Sequence, residues 1–599
     1  MVLHLVSWNV AGWESTLRLI ARDYGPSSLT TKRKNVNGNA AALYFDRHGL
    51  ADIVCIQEAK IQRRRLESGE GVKLGARLDG WESFWAACTD SSALGFNGVT
   101  TWARKGLVES ANASPLEAPH LDKLGRCVRT DLAKIVIFNV YAPASCNPGG
   151  VRLQMDFFGA LKKAALRAKA KTGKHVIICG DLNANYDARD LHWSRRRVRI
   201  DRVLKEAQRQ GEDDAGENSE WKADIAKHWP DIEAALKNQR VVPQTTRNPN
   251  TGKEYEKFRL EVPDPAASGK WCKLGIPESS EADAACMVLE SWHDEKLGEL
   301  YPARSPSVEK LTEFMRVIAR VHWDESVQKR IARQVGECPR STPTVDWMRS
   351  MIEKDETFVD TYRKLYPNAE HNFTCWNQYK NCRYRNEGSR IDYFLVDNEL
   401  FEKGAVLRCE PENECAFDGA EMYDRCDEIK GICRATANGG FQPARGDGGG
   451  LDEPTTKAML TQFASIRHTG ISYTPPKYSD HVAVTLLIDD EALGATPFRS
   501  CELASDSATK HAQPHKAQRT IMSMFAPRKK KASAPRLVQT QPLAASNVGN
   551  GVADQPTIGV KRPHPVSERP GKRHVKKSVM NGIKRFFGAA ASSTTSVDI

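Results

Sequence analysis

Lys174-His175-Val176-Ile177-Ile178-Cys179-Gly180-Asp181-Leu182-Asn183-Ala184-Asn185 decides how the rest of the chain is read. The β-branched apolar run over 176–179 predicts a buried strand. It stops at Gly180, and Asp181 and Asn183 follow. An acid and an amide thus stand just past the carboxyl end of a strand, where open α/β sheets bind their ligands. Gly, Asp and Asn also favour turns for purely local reasons, so the other strand ends must decide between the two readings.

Those ends are polar as well. Residues 3–9 alternate into a strand that finishes on Asn9. Residues 51–58 form a buried run ending in Gln57-Glu58. An acid is costly where a sheet is covered, so Glu58 requires a partner: a divalent cation, or a salt bridge to Lys60 or Arg63. Residues 97–104 predict a third strand, and residues 135–143 a fourth that ends in Tyr141 before Pro143 stops the ladder. Residues 151–171 carry a helical pattern, with Phe157, Phe158, Leu161, Ala164, Ala165 and Leu166 as its apolar side, and predict a cover for the sheet. Patterning resumes over 358–363, 373–377 and 388–396, where Asp392 interrupts an apolar run. A buried Asp needs a partner, and His is a natural one. The core closes over 478–486, where Asp480 and His481 sit side by side at a strand mouth.

The chain has 599 residues, 40% of them hydrophobic, which allows a large core and more than one domain. No apolar run reaches the roughly 18 residues of a membrane helix, and the start lacks the pattern of a secretory signal. The 15 cysteines are therefore expected to be reduced thiols of the cytosol or nucleus. The net charge is +12, and residues 513–577 hold 14 Lys and Arg against Asp554 and Glu568, the whole excess. A near-neutral body with a basic tail suits a nucleic-acid enzyme with a targeting or tethering tail.

The expected organisation is a catalytic domain over 1–490 and a tail over 491–599. Two insertions interrupt the domain. The first, about 190–350, is charged, broken at Pro230, Pro243, Pro263, Pro265 and Pro302, and reads as helices and long loops with a helix pair over 308–335. Its Arg195-Arg196-Arg197 run reads as a solvated loop or a phosphate contact. The second, about 402–470, reads as a disordered loop whose Cys409, Cys415, Cys426 and Cys433 lack the paired spacing of most zinc sites. The tail is rich in Ala, Ser, Pro and Lys and is expected to be disordered.

Six β-like runs thus carry Asn9, Glu58, Tyr141, Asp181 with Asn183, Asp392, and Asp480 with His481. The set suits phosphodiester hydrolysis assisted by Mg2+, with Mn2+ as the alternative ion. Mg2+ takes oxygen ligands, commonly one or two carboxylates, and keeps waters and phosphate oxygens. Glu58 is the first expected ligand, with Asp480, Asn9 and Asp181 next, and Asn183 and His481 complete the candidate set. Asp181 is expected to orient and deprotonate the attacking water. Asn183 would hydrogen-bond that water or the developing oxyanion. His481, kept cationic by Asp392, would bind the scissile phosphate, and Tyr141 would contact the phosphate or stabilise the leaving oxygen.

Ser7-Trp8-Asn9, Gln57-Glu58, Asn139-Val140-Tyr141-Ala142-Pro143, Gly180-Asp181-Leu182-Asn183-Ala184, Ser389-Arg390-Ile391-Asp392-Tyr393 and Ser479-Asp480-His481 resemble, in order, the successive motifs of the exonuclease III type of apurinic/apyrimidinic (AP) endonuclease. The resemblance runs from the start to about residue 490, outside the two insertions. It implies an α/β fold, the four-layer α/β sandwich called the endonuclease/exonuclease/phosphatase fold. It also implies a base excision repair nuclease acting on double-stranded DNA: cleavage 5′ to an abasic site, removal of 3′-blocking groups and 3′→5′ exonuclease activity. Residues 373–392 resemble the second eukaryotic branch of that family. The first branch has bulky aromatics at the positions of Cys375 and Ser389, walling the abasic pocket. Cys375, Ser389 and Trp376 are therefore the expected pocket residues, and the smaller pair implies a wider pocket that favours 3′-end work over abasic-site incision. Ala11 departs from the polar metal-binding residue of many members, and Ala144 from an Asn that contacts phosphate in some.

In the tail, Gln518, Ile521, Met524 and Phe525 resemble a box that binds the PCNA sliding clamp, with three apolar side chains on one side of a helical turn. Met580, Ile583, Phe586 and Phe587 repeat the spacing. The basic runs over 527–531 and 572–577 read as nuclear-import signals or DNA-backbone contacts. No Cys follows Cys501, so the small terminal zinc finger of many relatives is expected to be absent. Membrane association is not expected. The rival readings are a same-fold phosphodiesterase acting on RNA or inositol phosphates, and an inactive clamp-tethered scaffold.

Overall fold

The computed structural model describes residues 2–24, 39–46, 51–76, 78, 80–144, 148–198, 220–247, 254–267, 269–278, 292–294, 299–301, 307–337, 343–378, 380–413 and 466–493. The Gly- and Cys-rich stretch over 414–465 and the clamp-like residues Gln518, Ile521, Met524, Phe525, Met580, Ile583, Phe586 and Phe587 lie outside the described residues.

Alternation of side chains builds two sheets. In β1 (Val2–Asn9), Leu3 and Leu5 point one way and Val6 and Trp8 the other, as a period of two requires. In β2 (Ile53–Gln57), Ile53 and Cys55 oppose Val54 and Ile56 in the same manner. Beyond β2 the chain forms β3 (Trp81–Ala86) and β4 (Val99–Arg104). With Val406–Leu407, Gly470–Ser472 and Ala483–Asp489 these make a seven-stranded sheet, in which Ala483–Asp489 lies beside β1 and the order continues β1-β2-β4-β3. The second sheet has six strands, in the order Phe358–Asp360, Asp392–Asp397, β8 (His175–Asp181), β7 (Ile135–Tyr141), β6 (Cys127–Asp131), β5 (Ser110–Asn112). Within these sheets β1 pairs with β2 and β7 with β8 in parallel.

One phase of each strand fills the space between the sheets. Leu3, Leu5, Ile53 and Cys55 meet Ile135, Ile137, Ile177, Cys179, Phe394 and Val396 in a single core. The other phase lies under helices. Val6, Trp8, Val54 and Ile56 pack on Trp13, Leu17 and Ile20 of the helix Trp13–Tyr24. Val136, Phe138, Val176 and Ile178 pack on Phe157, Phe158, Leu161 and Ala165 of the helix Pro148–Thr172. The layers run helix, sheet, sheet, helix, which is the expected four-layer α/β sandwich. Leu166, grouped by pattern with the apolar side, is instead 42% exposed, because each residue turns ~100° past its neighbour.

The first insertion has a core of its own, with Val198, Trp221, Ile225, Leu260, Val262, Phe314, Trp323 and Ile331. Its helix pair is Val308–Phe314, continued by the wide turn Met315–Ala319, and Glu325–Val335. Long loops were the other expectation, but Arg240–Arg247, Glu254–Pro263 and Trp271–Glu278 form a three-stranded antiparallel sheet. Pro243 reads as a breaker, yet it lies in an edge strand, where the missing N–H leaves the ladder intact. Trp347 of the helix Pro343–Arg349 stacks on Phe158 at 4.2 Å, so that helix packs on the sandwich. The cysteines of the described residues are free thiols, and none of the described helices is long and apolar enough to cross a membrane.

Candidate active site

The inward phase of each strand turns polar at one end of the sandwich. Ser7 and Asn9 continue the phase of Leu3 and Leu5, and Asp181 that of Ile177 and Cys179. Tyr141 ends β7, and Asp392 opens its strand. Register places Tyr141 and Asp392 on either side of Asp181. The space that is greasy between the sheets therefore becomes a polar cleft where the strands exit.

Hydrogen bonds join these residues. Asn9 Nδ2 donates to Asp181 Oδ2 at 2.8 Å and to Glu58 Oε1 at 3.0 Å. Its Oδ1 accepts the Ala11 N–H at 3.0 Å, so the amide can face only one way. Asn9 thereby holds two acids together through its NH2 group. Asp181 Oδ1 accepts the Asn183 N–H at 2.8 Å. The Asn183 side chain donates to Ala142 O at 2.9 Å. His481 Nδ1 lies 2.9 Å from Asp392 Oδ2, and its Nε2 lies 3.9 Å from Asp181 Oδ2. Ser479 Oγ donates to Asn9 O and accepts the His481 N–H, tying the imidazole segment to β1.

Burial pushes the Asp181 carboxyl up to about 7, with Asp392 and Glu58 adding to the rise and His481 opposing it. Burial alone would lower the His481 pKa, but Cys375 and Asp392 outweigh it and hold the ring cationic, well above its ordinary value. Burial raises Tyr141 well above the usual phenol range, helped by Glu58. For Glu58 the burial cost is overcome by Lys60, 2.6 Å away, and by Asn9, so its carboxyl sits below the ordinary value.

The turns that aim these side chains are strained. Ala11, Glu58, Lys60 and Asn183 have φ of 51, 50, 54 and 48°, the left-handed region that costs a non-glycine residue about 1–2 kcal/mol. Gly180 is required for a different reason. A Cβ there would stand 2.0 Å from Val140 O.

Glu58, Asp181 and Asp480 supply the hard oxygen donors that Mg2+ or Mn2+ takes. Burial raises the Asp480 carboxyl, with Glu58 close enough to add to the rise, so this part of the cleft favours added positive charge. One ligand atom each from Asp181, Asp392 and His481 also lie within 4.8 Å of one another. His481 Nδ1 is taken by Asp392, and the ring is cationic, which makes it a poor ligand and a good anion partner.

Of the expected pocket residues, Cys375 is half-buried and pairs through its backbone with His481. Ser389 is buried opposite Cys375. Trp376 is buried in the inter-sheet core that Tyr141 also borders, and its Nε1 donates to Asn386 Oδ1 at 3.1 Å.

The structure gives contacts to residues outside the expected site set, among them Lys60, the expected salt-bridge partner of Glu58. Gln57 Nε2 bonds Asn139 Oδ1 at 2.8 Å and Ser7 Oγ at 3.0 Å, linking the sheets beneath the cleft. Arg126 lies 4.4 Å over the Tyr141 ring and donates to the Tyr141 and Ala142 carbonyls. Lys60 bridges Glu58 and Ala11 O. Arg390, 1% exposed, meets Asp190 and Asp360. Period-two phase could have singled out Gln57 and Asn139; nothing local marks Arg126.

A layered sandwich with a polar cleft at the strand exits is the endonuclease/exonuclease/phosphatase fold, and the model of the Endonuclease/Exonuclease/phosphatase family matches residues 6–235. The chain is similar to DNA-(apurinic or apyrimidinic site) endonuclease 2 of Bos taurus, at 28% identity over 228 residues, covering 32% of this chain and 40% of that protein. It is also similar to the protein of the same name from Mus musculus, at 38% identity over 72 residues, covering 11% of this chain and 14% of that protein. The chain thus spans less than half the length of these curated relatives. Among solved structures it is similar to the Xenopus laevis APE2 catalytic domain, at 17% identity and a TM-score of 0.34, covering 67% of this chain and 84% of that one.

Proposed function

We propose that this protein is a DNA repair nuclease that hydrolyses phosphodiesters with a bound Mg2+ or Mn2+, acting at abasic sites and at blocked or recessed 3′ ends. The relatives' printed names support the substrate class. The observation that carries the reading is the continuous chain Asp392–His481–Asp181–Asn9–Glu58 across both sheets.

Asp181 is the base. Asn183 N–H and Asn9 Nδ2 fix both its oxygens, which orients the carboxylate to take a proton from water in the cleft. His481, cationic and oriented by Asp392, binds the scissile phosphate. Tyr141 keeps its proton in this setting and donates a hydrogen bond to the leaving oxygen. Glu58 and Asp480, with Asp181 beside them, would hold the cation, which when bound neutralises charge on the phosphate and lowers the pKa of water. Asn183 acts through Asp181 and through its remaining amide proton.

Cys375, paired with His481, and Ser389, opposite Cys375, are small side chains, which favours 3′-phosphodiesterase and exonuclease work over incision. The basic tail supports a nuclear protein tethered to PCNA. The test is product analysis on duplexes with an internal abasic site, a 3′-blocked nick or a recessed 3′ end, with and without Mg2+. Mg2+-dependent 3′ processing that exceeds incision is expected, and Asp181→Asn should abolish it. Unchanged cleavage by Asp181→Asn would overturn the mechanism.

A further inference from the structure

The insertion's three-stranded sheet sorts its side chains by chemistry. Val241, Leu260, Val262, Cys272 and Leu274 take the phase that packs on the insertion's helices. The opposite phase carries Arg240, Arg259, Lys273 and Trp271, placed in register by Arg240 opposite Glu261, Val242 opposite Arg259, Glu261 opposite Lys273 and Pro263 opposite Trp271. The Arg240 guanidinium sits 3.8 Å over the Trp271 ring, which confirms that both occupy this face. Glu261 shares the phase and is bridged by Arg240 at 2.8 Å, so its charge is spent locally. Trp271 is 38% exposed. Arg259 Nε is shielded from water and meets no acceptor among the described residues.

Folding accounts for Arg240, which stacks on Trp271 and bridges Glu261, but one acid does not balance Arg259 and Lys273 as well. Cations gathered on one open face repel, and an exposed indole buries little. A polyanion with flat bases uses both: guanidinium and ammonium groups take phosphates, and the indole stacks on a base. Single-stranded nucleic acid offers unstacked bases to such a sheet. Duplex DNA hides them.

We propose that this face of the insertion binds single-stranded DNA, apart from the catalytic cleft. The inference does not rest on the hydrolytic reading, since binding is measured without divalent cation.

The full chain is titrated in EDTA with a fluorescein-labelled 20-nucleotide single strand and with the matching duplex, read by anisotropy across salt concentrations. Arg259→Glu combined with Lys273→Glu should weaken single-strand binding at least tenfold. The slope of log affinity against log salt should fall by about 1.4, the loss of two phosphate contacts. The control Lys163→Glu with Lys171→Glu, on the helix Pro148–Thr172, makes the same change in net charge and should leave both readings near wild type. A single strand carrying 5-iododeoxyuridine should photocrosslink to Trp271, and Trp271→Phe should keep the affinity that Trp271→Ala loses. Thermal melting confirms that each variant is folded. Equal losses from both charge reversals, no loss from either, a duplex bound as tightly through the same residues, or an adduct elsewhere would overturn the proposal.

Discussion

Asp181 and Asp392 face each other as a cross-strand pair, two buried carboxylates in register on adjacent strands. Like charges so placed destabilise a sheet. The His481 imidazole relieves them, 2.9 Å from one and 3.9 Å from the other.

Asp392→Asn should expose that arrangement. The substitution keeps the size and an acceptor but removes the charge that helps to hold His481 protonated. The imidazole then gives up its proton at lower pH, so the alkaline limb of the kcat/KM profile moves to lower pH. The rate at neutral pH should fall roughly 100-fold. Steady-state kinetics on a 3′-blocked nick from pH 5 to 10 checks both.

Gly180→Ala should damage the fold. The new Cβ would meet the Val140 carbonyl, backbone that cannot turn aside, at a φ of +128°. A loss of about 3 kcal/mol or more is expected in urea unfolding. Gly173→Ala is the contrast: its φ is +68° with open space around it, so only the left-handed cost of about 1 kcal/mol applies.

Arg390→Met should cost about 3–5 kcal/mol, the usual result of removing one partner from a buried ion network, with Asp190 left on Arg363 and Asp360 on the Tyr186 hydroxyl. Arg390 reaches Asp190 through two bonds of 2.8 Å and Asp360 at 2.6 Å. Adding Asp360→Asn alone to Arg390→Met, which leaves Asp190 on Arg363, should recover part of the loss. If the double variant is no more stable than the single one in denaturant melts, the network is not the cause.

Asp397 should govern acid stability. Burial works against its charge, but His175, Lys169 and the Val176 N–H prevail and bring its pKa down to about 2. A folded pKa below the unfolded value of ~3.9 stabilises the protein above that value, and the contribution fades as pH falls from about 5 towards 2. Asp397→Asn should therefore cost about 2 kcal/mol at pH 7 and almost nothing near pH 2. Denaturant melts at pH 7, 4 and 2 test the convergence.

Much of this molecule was readable beforehand because period two is a local property. The runs ending on Asn9, Glu58, Tyr141 and Asp181 announce strands and their polar ends in a few residues each, and the described structure places them in one cleft. Trp81–Ala86 and Cys127–Asp131 went unread, since Glu82, Arg129 and Asp131 interrupt their apolar alternation. The insertion's sheet was hidden by Pro243, harmless only because its strand is an edge.

The amino-acid sequence by itself determined which polar side chains stand at the strand ends and the two-sided burial that demands a layered fold. Only the tertiary structure decided how they act on one another. Asn9 turns its NH2 rather than its oxygen to the acids, Trp376 faces the core, and Arg126 covers Tyr141. Those outcomes depend on strand register and on neighbours distant in the chain, and no local pattern encodes a contact across 172 residues such as that of Asn9 with Asp181.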